Sequence, residues 1–187
     1  VPGYSPNAIA ELSLTLAMSL LRHVAHTVNK TSKYDFRVDG TMFSKEIRNC
    51  KVGIIGTGKI GLTEAKLFKG LGADVYGFDV FQSEEAKHVV KFVEMDDLLE
   101  RCDIVSLHVP YFPGKNDKMV NAEFISKMKD GAILINTARG ELQDNAAILE
   151  AIKSGKLDGF GTDVFANEAA FFFKNFESGD DISDQVV

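Results

Sequence analysis

The sequence predicts an α/β protein: one domain on a doubly wound parallel sheet, with helices covering both faces in three layers, αβα. Three observations predict it. From Val52 onward, short β-branched runs alternate with helical stretches, the pattern of parallel strands joined by crossover helices. The segment "KVGIIGTGKIGLTEAKLFKGLGADVYGFDVF", residues 51–81, places a glycine-rich turn between the first such run and its helix. The 187 residues are 45% hydrophobic and 26% charged, which is ordinary for a globular chain and enough for one real core.

Each element has its own signal. Ser5-Pro6 is a helix start, a hydroxyl cap followed by proline at the first helical position. The helix it opens is expected to run to about Asn29. It is apolar on most sides (Ile9, Leu12, Leu16, Leu20, Leu21, Val24, Val28) and so packs on more than one neighbour. Residues 30–48 are polar and mixed, a connecting arm. Strands are expected over 52–55, 74–78, 89–92, 104–109, 132–136 and 157–164, with helices over 63–71, 96–102, 122–128 and 146–154. Gly155 stops the last helix. Right-handed crossovers give the doubly wound, Rossmann-type order. The whole of 1–187 reads as one dinucleotide-binding domain, with helix and arm over 1–48 and the βα core with a C-terminal loop over 49–187.

Bulk properties narrow the function. The net charge is −6 and no basic stretch offsets it, which argues against a nucleic-acid partner. Cys50 and Cys102 have no second Cys or His at metal-ligand spacing, so no metal is expected and both read as thiols of a reducing compartment. The most apolar stretch, residues 12–21, is interrupted by Ser13, Thr15 and Ser19 and is too short to span a bilayer. No signal peptide is visible. A cytoplasmic protein without a membrane partner is expected.

Gly56, Gly58 and Gly61 form G-x-G-x-x-G directly after a strand and directly before a helix, and Asp79 ends the next strand. That context makes a weak pattern a strong one. Gly56 permits the tight turn, Gly58 lets a pyrophosphate approach the backbone, and Gly61 lets the helix lie close on the sheet. Lys59 and Ile60, inside the unit, are expected on the cofactor side, where the helix N-terminus offers N–H groups and partial positive charge. Asp79 would accept hydrogen bonds from the adenosine ribose hydroxyls, worth about 1.5–3 kcal/mol each. It would also repel a 2′-phosphate, so NAD is expected rather than NADP. The plainer reading of Asp79, a residue ending a strand in a turn, is disfavoured because Val80 and Phe81 are not turn residues.

With "VPGYSPNAIAE" at the start, "DIVSLHVP" in the middle and "LINTARGELQDNAAILEAIKSGKLDGFGTDVF" over 134–165, the chain resembles the D-isomer-specific 2-hydroxyacid dehydrogenases, in the branch of D-lactate, (R)-2-hydroxyglutarate and D-2-hydroxyisocaproate dehydrogenases. The resemblance implies an NAD-dependent enzyme that moves a hydride between NADH and a small 2-oxo acid, giving the D-(R)-2-hydroxy acid. It implies that Arg139 clamps the substrate carboxylate and polarises the keto oxygen, and that Glu168 pairs with a histidine and raises its pKa. Asp163 would tune the site or touch the nicotinamide side. Tyr4 would lie near the substrate. His108, Val109 and Pro110 would lie along the cofactor, and Asn116, Thr137 and Ala138 would make further cofactor contacts.

The family's catalytic histidine follows one more strand, and none of His23, His26, His88 and His108 follows Glu168. The chain is therefore expected to be a cofactor domain excised from a two-domain enzyme, inactive alone and dimeric through this domain. Phe171, Phe172, Phe173 and Phe176 would then need cover, from the substrate pocket, the missing domain or a second subunit. Two other classes stay open: a non-catalytic NAD-sensing interaction protein of the same family, and an S-adenosylmethionine-dependent methyltransferase, which "NTARG" and the glycine spacing disfavour.

Overall fold

Ser5 caps α1 (Pro6–Leu21) as expected: its hydroxyl accepts the Ala8 N–H at 3.3 Å and Pro6 opens the first turn. The structure, a computed structural model, describes residues 5–166 and Glu168. Tyr4 and the phenylalanines at 171, 172, 173 and 176 lie outside the described residues.

The single helix expected to reach Asn29 is two helices. α1 ends at Leu21, and α2 (Val24–Ser32) starts after His23, whose φ is +49°. The two axes bend by 59°. Burial explains the break. Ala10, Ser13, Ala17 and Leu21 form a buried stripe along α1, whereas α2 buries nothing. A straight helix would leave the surface that α1 packs on. Histidine is one of the residues that tolerates the left-handed region, so no glycine or proline marks the site. No single helix among the described residues is long and apolar enough to cross a membrane.

The sheet has six strands, all parallel, in the order β3-β2-β1-β4-β5-β6. They are β1 (Lys51–Ile55), β2 (Asp74–Phe78), β3 (Lys91–Phe92), β4 (Ile104–Leu107), β5 (Ala132–Asn136) and β6 (Leu157–Thr162). Period two divides each central strand between two cores. Val52, Ile54, Ile104, Ile133 and Ile135 meet Ala17, Ala65 and Phe68 from α1 and α3 (Lys59–Gly70). Ile55, Val105, Leu107 and Leu134 meet Leu98, Phe124 and Ile148 on the other face. Those three belong to α5 (Met95–Arg101), α6 (Ala122–Lys127) and α7 (Asn145–Lys153). The three-layer αβα expectation is therefore met, with one unforeseen short helix, α4 (Glu84–Lys87).

Several strand ends differ from expectation, each for a tertiary reason. β4 stops at Leu107 instead of Val109 because β1, its partner, turns away at Gly56 after the Ile55↔Leu107 pair. β6 stops at Thr162 instead of Val164 because β5 ends at Asn136, its register partner. β3 is shorter because the Val89 and Val90 amides bond the Ala86 carbonyl in the turn after α4.

Candidate active site

The strand order reverses between β1 and β4: the chain crosses outward from β1 to β2 on one side and from β4 to β5 on the other. Ligands of doubly wound sheets bind in the crevice that opens there, at the carboxyl ends of the strands. The glycine unit occupies that point. Gly56 has φ +94°, and an added Cβ would stand 2.8 Å from the His108 carbonyl carbon. A Cβ at Gly61 would stand 2.0 Å from the Gly56 carbonyl oxygen. A Cβ at Gly58 would meet nothing within 4 Å. Gly56 and Gly61 are therefore demanded by the protein's own packing, while Gly58 keeps free space at the mouth of α3.

That space belongs to a cleft of about 630 Å³ lined in part by Thr57, Gly58, Lys59, Asp79 and Phe81. α3 begins on Gly58, which has no side chain to cap the helix. Its first N–H groups are left for an anion. Lys59 is exposed there and makes no side-chain bond among the described residues. Ile60 is half-buried beside it. Asp79 Oδ2 accepts the Thr57 N–H at 2.6 Å and the Thr57 hydroxyl at 3.2 Å, and Oδ1 accepts the Phe81 N–H at 3.0 Å. The carboxylate thus fastens the glycine turn to the end of β2 as well as facing the cleft. Open backbone at a helix start, a free lysine and a carboxylate on the far rim fit a dinucleotide.

The wall on the β4 side is the loop from Val109. Val109 is half-buried and Pro110 exposed. Asn116 spans this loop: its Oδ1 accepts the Phe112 N–H at 2.7 Å and its Nδ2 donates to the Pro110 carbonyl at 2.8 Å. Any part it plays at the cofactor runs through the loop's shape. The His108 imidazole is buried against Glu64, because period two turns it and Ser106 toward α3.

The second half of the site is the turn after β5. Asn136, fully buried, builds it. Its Nδ2 donates to the Arg139 carbonyl at 2.9 Å and to Gln143 Oε1 at 2.6 Å, while its Oδ1 accepts the Ala138 N–H at 3.0 Å. Thr137 is buried, with its hydroxyl 2.6 Å from that of Ser13 on α1. Ala138 is buried too. Arg139 then stands exposed at the carboxyl edge of the sheet. Its guanidinium donates only to the Ala138 carbonyl, at 2.6 Å, and enters no ion pair among the described residues.

Gly140 carries the Arg139 turn against the segment after β6. A Cβ there would stand 2.0 Å from the Phe165 carbonyl carbon and 2.4 Å from the Ala166 nitrogen. This contact holds the segment after β6, which Asp163 begins, beside the Arg139 turn. Burial raises the Asp163 carboxyl above its ordinary value. Glu168 Oε2 is buried and has no hydrogen-bond partner among the described residues. A buried carboxylate oxygen without a donor is costly, which marks it as an acceptor for a group not among the described residues.

Sequence reasoning missed the scaffolding roles of Asn136, Gln143 and Gly140, and the Glu64–His108 pair. The first three were visible only as letters of a motif. Nothing local announces Glu64, a glutamate at a helix position that faces the sheet.

The D-isomer specific 2-hydroxyacid dehydrogenase, NAD binding domain, family model matches residues 14–178. A D-lactate dehydrogenase from Treponema pallidum (strain Nichols) is 43% identical over 94% of this chain and 53% of its own length. A D-2-hydroxyacid dehydrogenase (NAD(+)) from Clostridioides difficile is 41% identical over 96% of this chain and 54% of its own. The crystal structure of D-lactate dehydrogenase with NAD+ from Lactobacillus jensenii matches with a TM-score of 0.90 at 38% identity, over 95% of this chain and 54% of that one. A D-lactate dehydrogenase from Aquifex aeolicus complexed with NAD and lactic acid matches at 0.85 and 37%, over 90% and 50%. The chain spans about half the length of the curated relatives it matches. By this match and by the geometry of its glycine turn, the chain belongs to the D-isomer specific 2-hydroxyacid dehydrogenase family, as its NAD-binding domain.

Proposed function

We propose that this domain serves an NAD-dependent dehydrogenase that interconverts a small 2-oxo acid and its D-(R)-2-hydroxy acid. The observation that carries the reading is Arg139: an exposed guanidinium without a carboxylate partner among the described residues, at the strand edge where this fold binds ligands. Its planar fork suits a carboxylate bound through two parallel hydrogen bonds. NAD supplies the hydride. Glu168 would orient an imidazole through its unpaired Oε2 and favour the imidazolium, so that a proton can be given to the developing alkoxide. The imidazole is none of this chain's four: His23 and His26 lie at α2, His88 bonds the Glu84 carbonyl, and His108 is paired with Glu64. By the family resemblance it would follow one more strand after Glu168. The names of the relatives favour a lactate-type acid.

Arg139→Gln in the intact enzyme tests this. The expected result is a fall in kcat/KM for 2-oxo acids of roughly a hundredfold or more, with NADH affinity kept. Turnover near wild type would refute the assignment.

The same proposal includes a homodimer. Val24, Val28, Tyr34, Phe36, Val38 and Phe43 leave apolar side chains exposed along α2 and the arm, which a second subunit would cover. Val28→Glu is expected to sediment as a monomer, and a dimer of unchanged strength would remove this face from consideration. A reducing, cytoplasmic setting fits the two free, buried cysteines, of which Cys102 has its thiol pushed up to about 12 by burial.

A further inference from the structure

Beneath the crevice lies a buried carboxyl–imidazole pair that NAD binding as described leaves unused. Ser106 and His108 face the α3 layer, because Val105 and Leu107, which alternate with them, belong to the opposite core. Glu64 lies on the buried face of α3 with Gly61, Ala65 and Phe68. His108 Nε2 is 2.5 Å from Glu64 Oε2 and 3.1 Å from Ser106 Oγ. The two side chains are 2% and 0% exposed, and Glu64 Oε1 is buried without a partner among the described residues. An apolar pair of similar volume would fill the same space at no loss, or at a gain, of stability. Packing alone therefore does not account for the pair.

Its position does. Glu64 stands on the helix that follows β1, and His108 is the residue at which the chain leaves β4. Their hydrogen bond crosses under the point where the strand order reverses, and so joins the two walls of the dinucleotide crevice. The backbone of His108 also grips the glycine turn: its N–H donates to the Ile55 carbonyl at 2.7 Å, and its carbonyl carbon stands where a Cβ on Gly56 would be only 2.8 Å away. We propose that Glu64 and His108 are a positioning pair, which fixes the start of α3 and the Val109–Pro110 wall relative to one another and so sets the width of the crevice for the dinucleotide. Neither is a catalytic residue. The pair acts through Gly56 and the loop after β4.

The test separates positioning from packing and reads cofactor affinity, so it is independent of which acid the enzyme reduces. Glu64→Met combined with His108→Phe, made in the intact protein, replaces the pair by apolar side chains. The expected result is a thermal midpoint at or above wild type, with NADH bound about tenfold more weakly by fluorescence titration. A folded double variant that binds NADH like wild type would overturn the proposal. Should that variant not fold, His108→Gln and His108→Leu carry the test. Glutamine can still donate to Glu64 and is expected to hold NADH affinity within about twofold, while leucine loses about tenfold. Equal affinities for the two would overturn the proposal.

Discussion

The glycine turn and the arginine turn stand on the same edge of the sheet, yet they are held in different ways. The glycine turn is self-contained. Asp79 takes the Thr57 N–H and hydroxyl on one side, and His108 presses against Gly56 on the other. The arginine turn has an equally complete base in Asn136 and Gln143, but its working ends are open. Among the described residues Arg139 bonds only its neighbour's carbonyl, and Glu168 keeps a buried oxygen unpaired. The difference teaches that the glycine turn is closed by contacts within this domain, whereas the arginine turn has its groups placed with their ends open among the described residues. Preorganised donors cost nothing at the moment of binding, while groups left open gain their partners only in the complex.

The largest effects are expected from two glycines, one in each region. Gly56→Ala must strain a backbone at φ +94° and meet the His108 carbonyl. Gly140→Ala would put a Cβ 2.0 Å from the Phe165 carbonyl carbon. Each is expected to lower the unfolding free energy by about 3 kcal/mol, measured by urea denaturation. They should differ in function: Gly56→Ala loses NADH binding, and Gly140→Ala keeps it. If both lose NADH equally, the two regions are not separable and the comparison breaks.

Gly58→Ala sharpens it, with a smaller effect. Its Cβ meets nothing within 4 Å, so stability should change by no more than about 0.5 kcal/mol. The added methyl stands where a phosphate must approach, and NADH binding should weaken about tenfold, read by fluorescence titration. A variant that binds NADH as well as wild type would move the phosphates away from the turn.

The smallest effect belongs to a control at the opposite end of the strands. Burial disfavours ionisation of Asp103, but hydrogen bonds from Lys129 and Lys45 and from the Lys51 N–H outweigh it and hold the carboxyl below its usual value. A carboxyl depressed in the folded state contributes stability above its unfolded value and loses it as pH falls. Wild type should therefore exceed Asp103→Asn by about 1 kcal/mol at neutral pH, with the gap closing as pH drops below 3.8. NADH affinity should not change. A gap that persists into acid would show that the carboxylate is not what stabilises this end.

Much of this was legible in the residues. Ser5-Pro6, the glycine unit, Asp79 and the strand cores at 52–55, 74–78 and 132–136 each depend on a few neighbours in sequence: a cap, a positive φ, an alternation. The place of Arg139 was legible for the same reason, since an arginine just after an apolar strand must emerge at the sheet's carboxyl edge. The meeting of the His108 imidazole with Glu64 was not legible, because a strand residue's face is decided by which helix layer covers it.

What the sequence determined by itself was therefore the order of the elements, the phosphate-binding turn and the residue types at the strand ends. These follow from local backbone sterics and hydrophobic period. Only the tertiary structure decided where α1 breaks, where β4 and β6 stop, that Gly140 closes on Phe165, and that Glu64 meets His108. Each of these depends on a partner far away in the chain. A strand ends when its neighbour turns away, a helix bends where its support ends, and a buried polar side chain is tolerable only once its hydrogen-bond partner is brought to it.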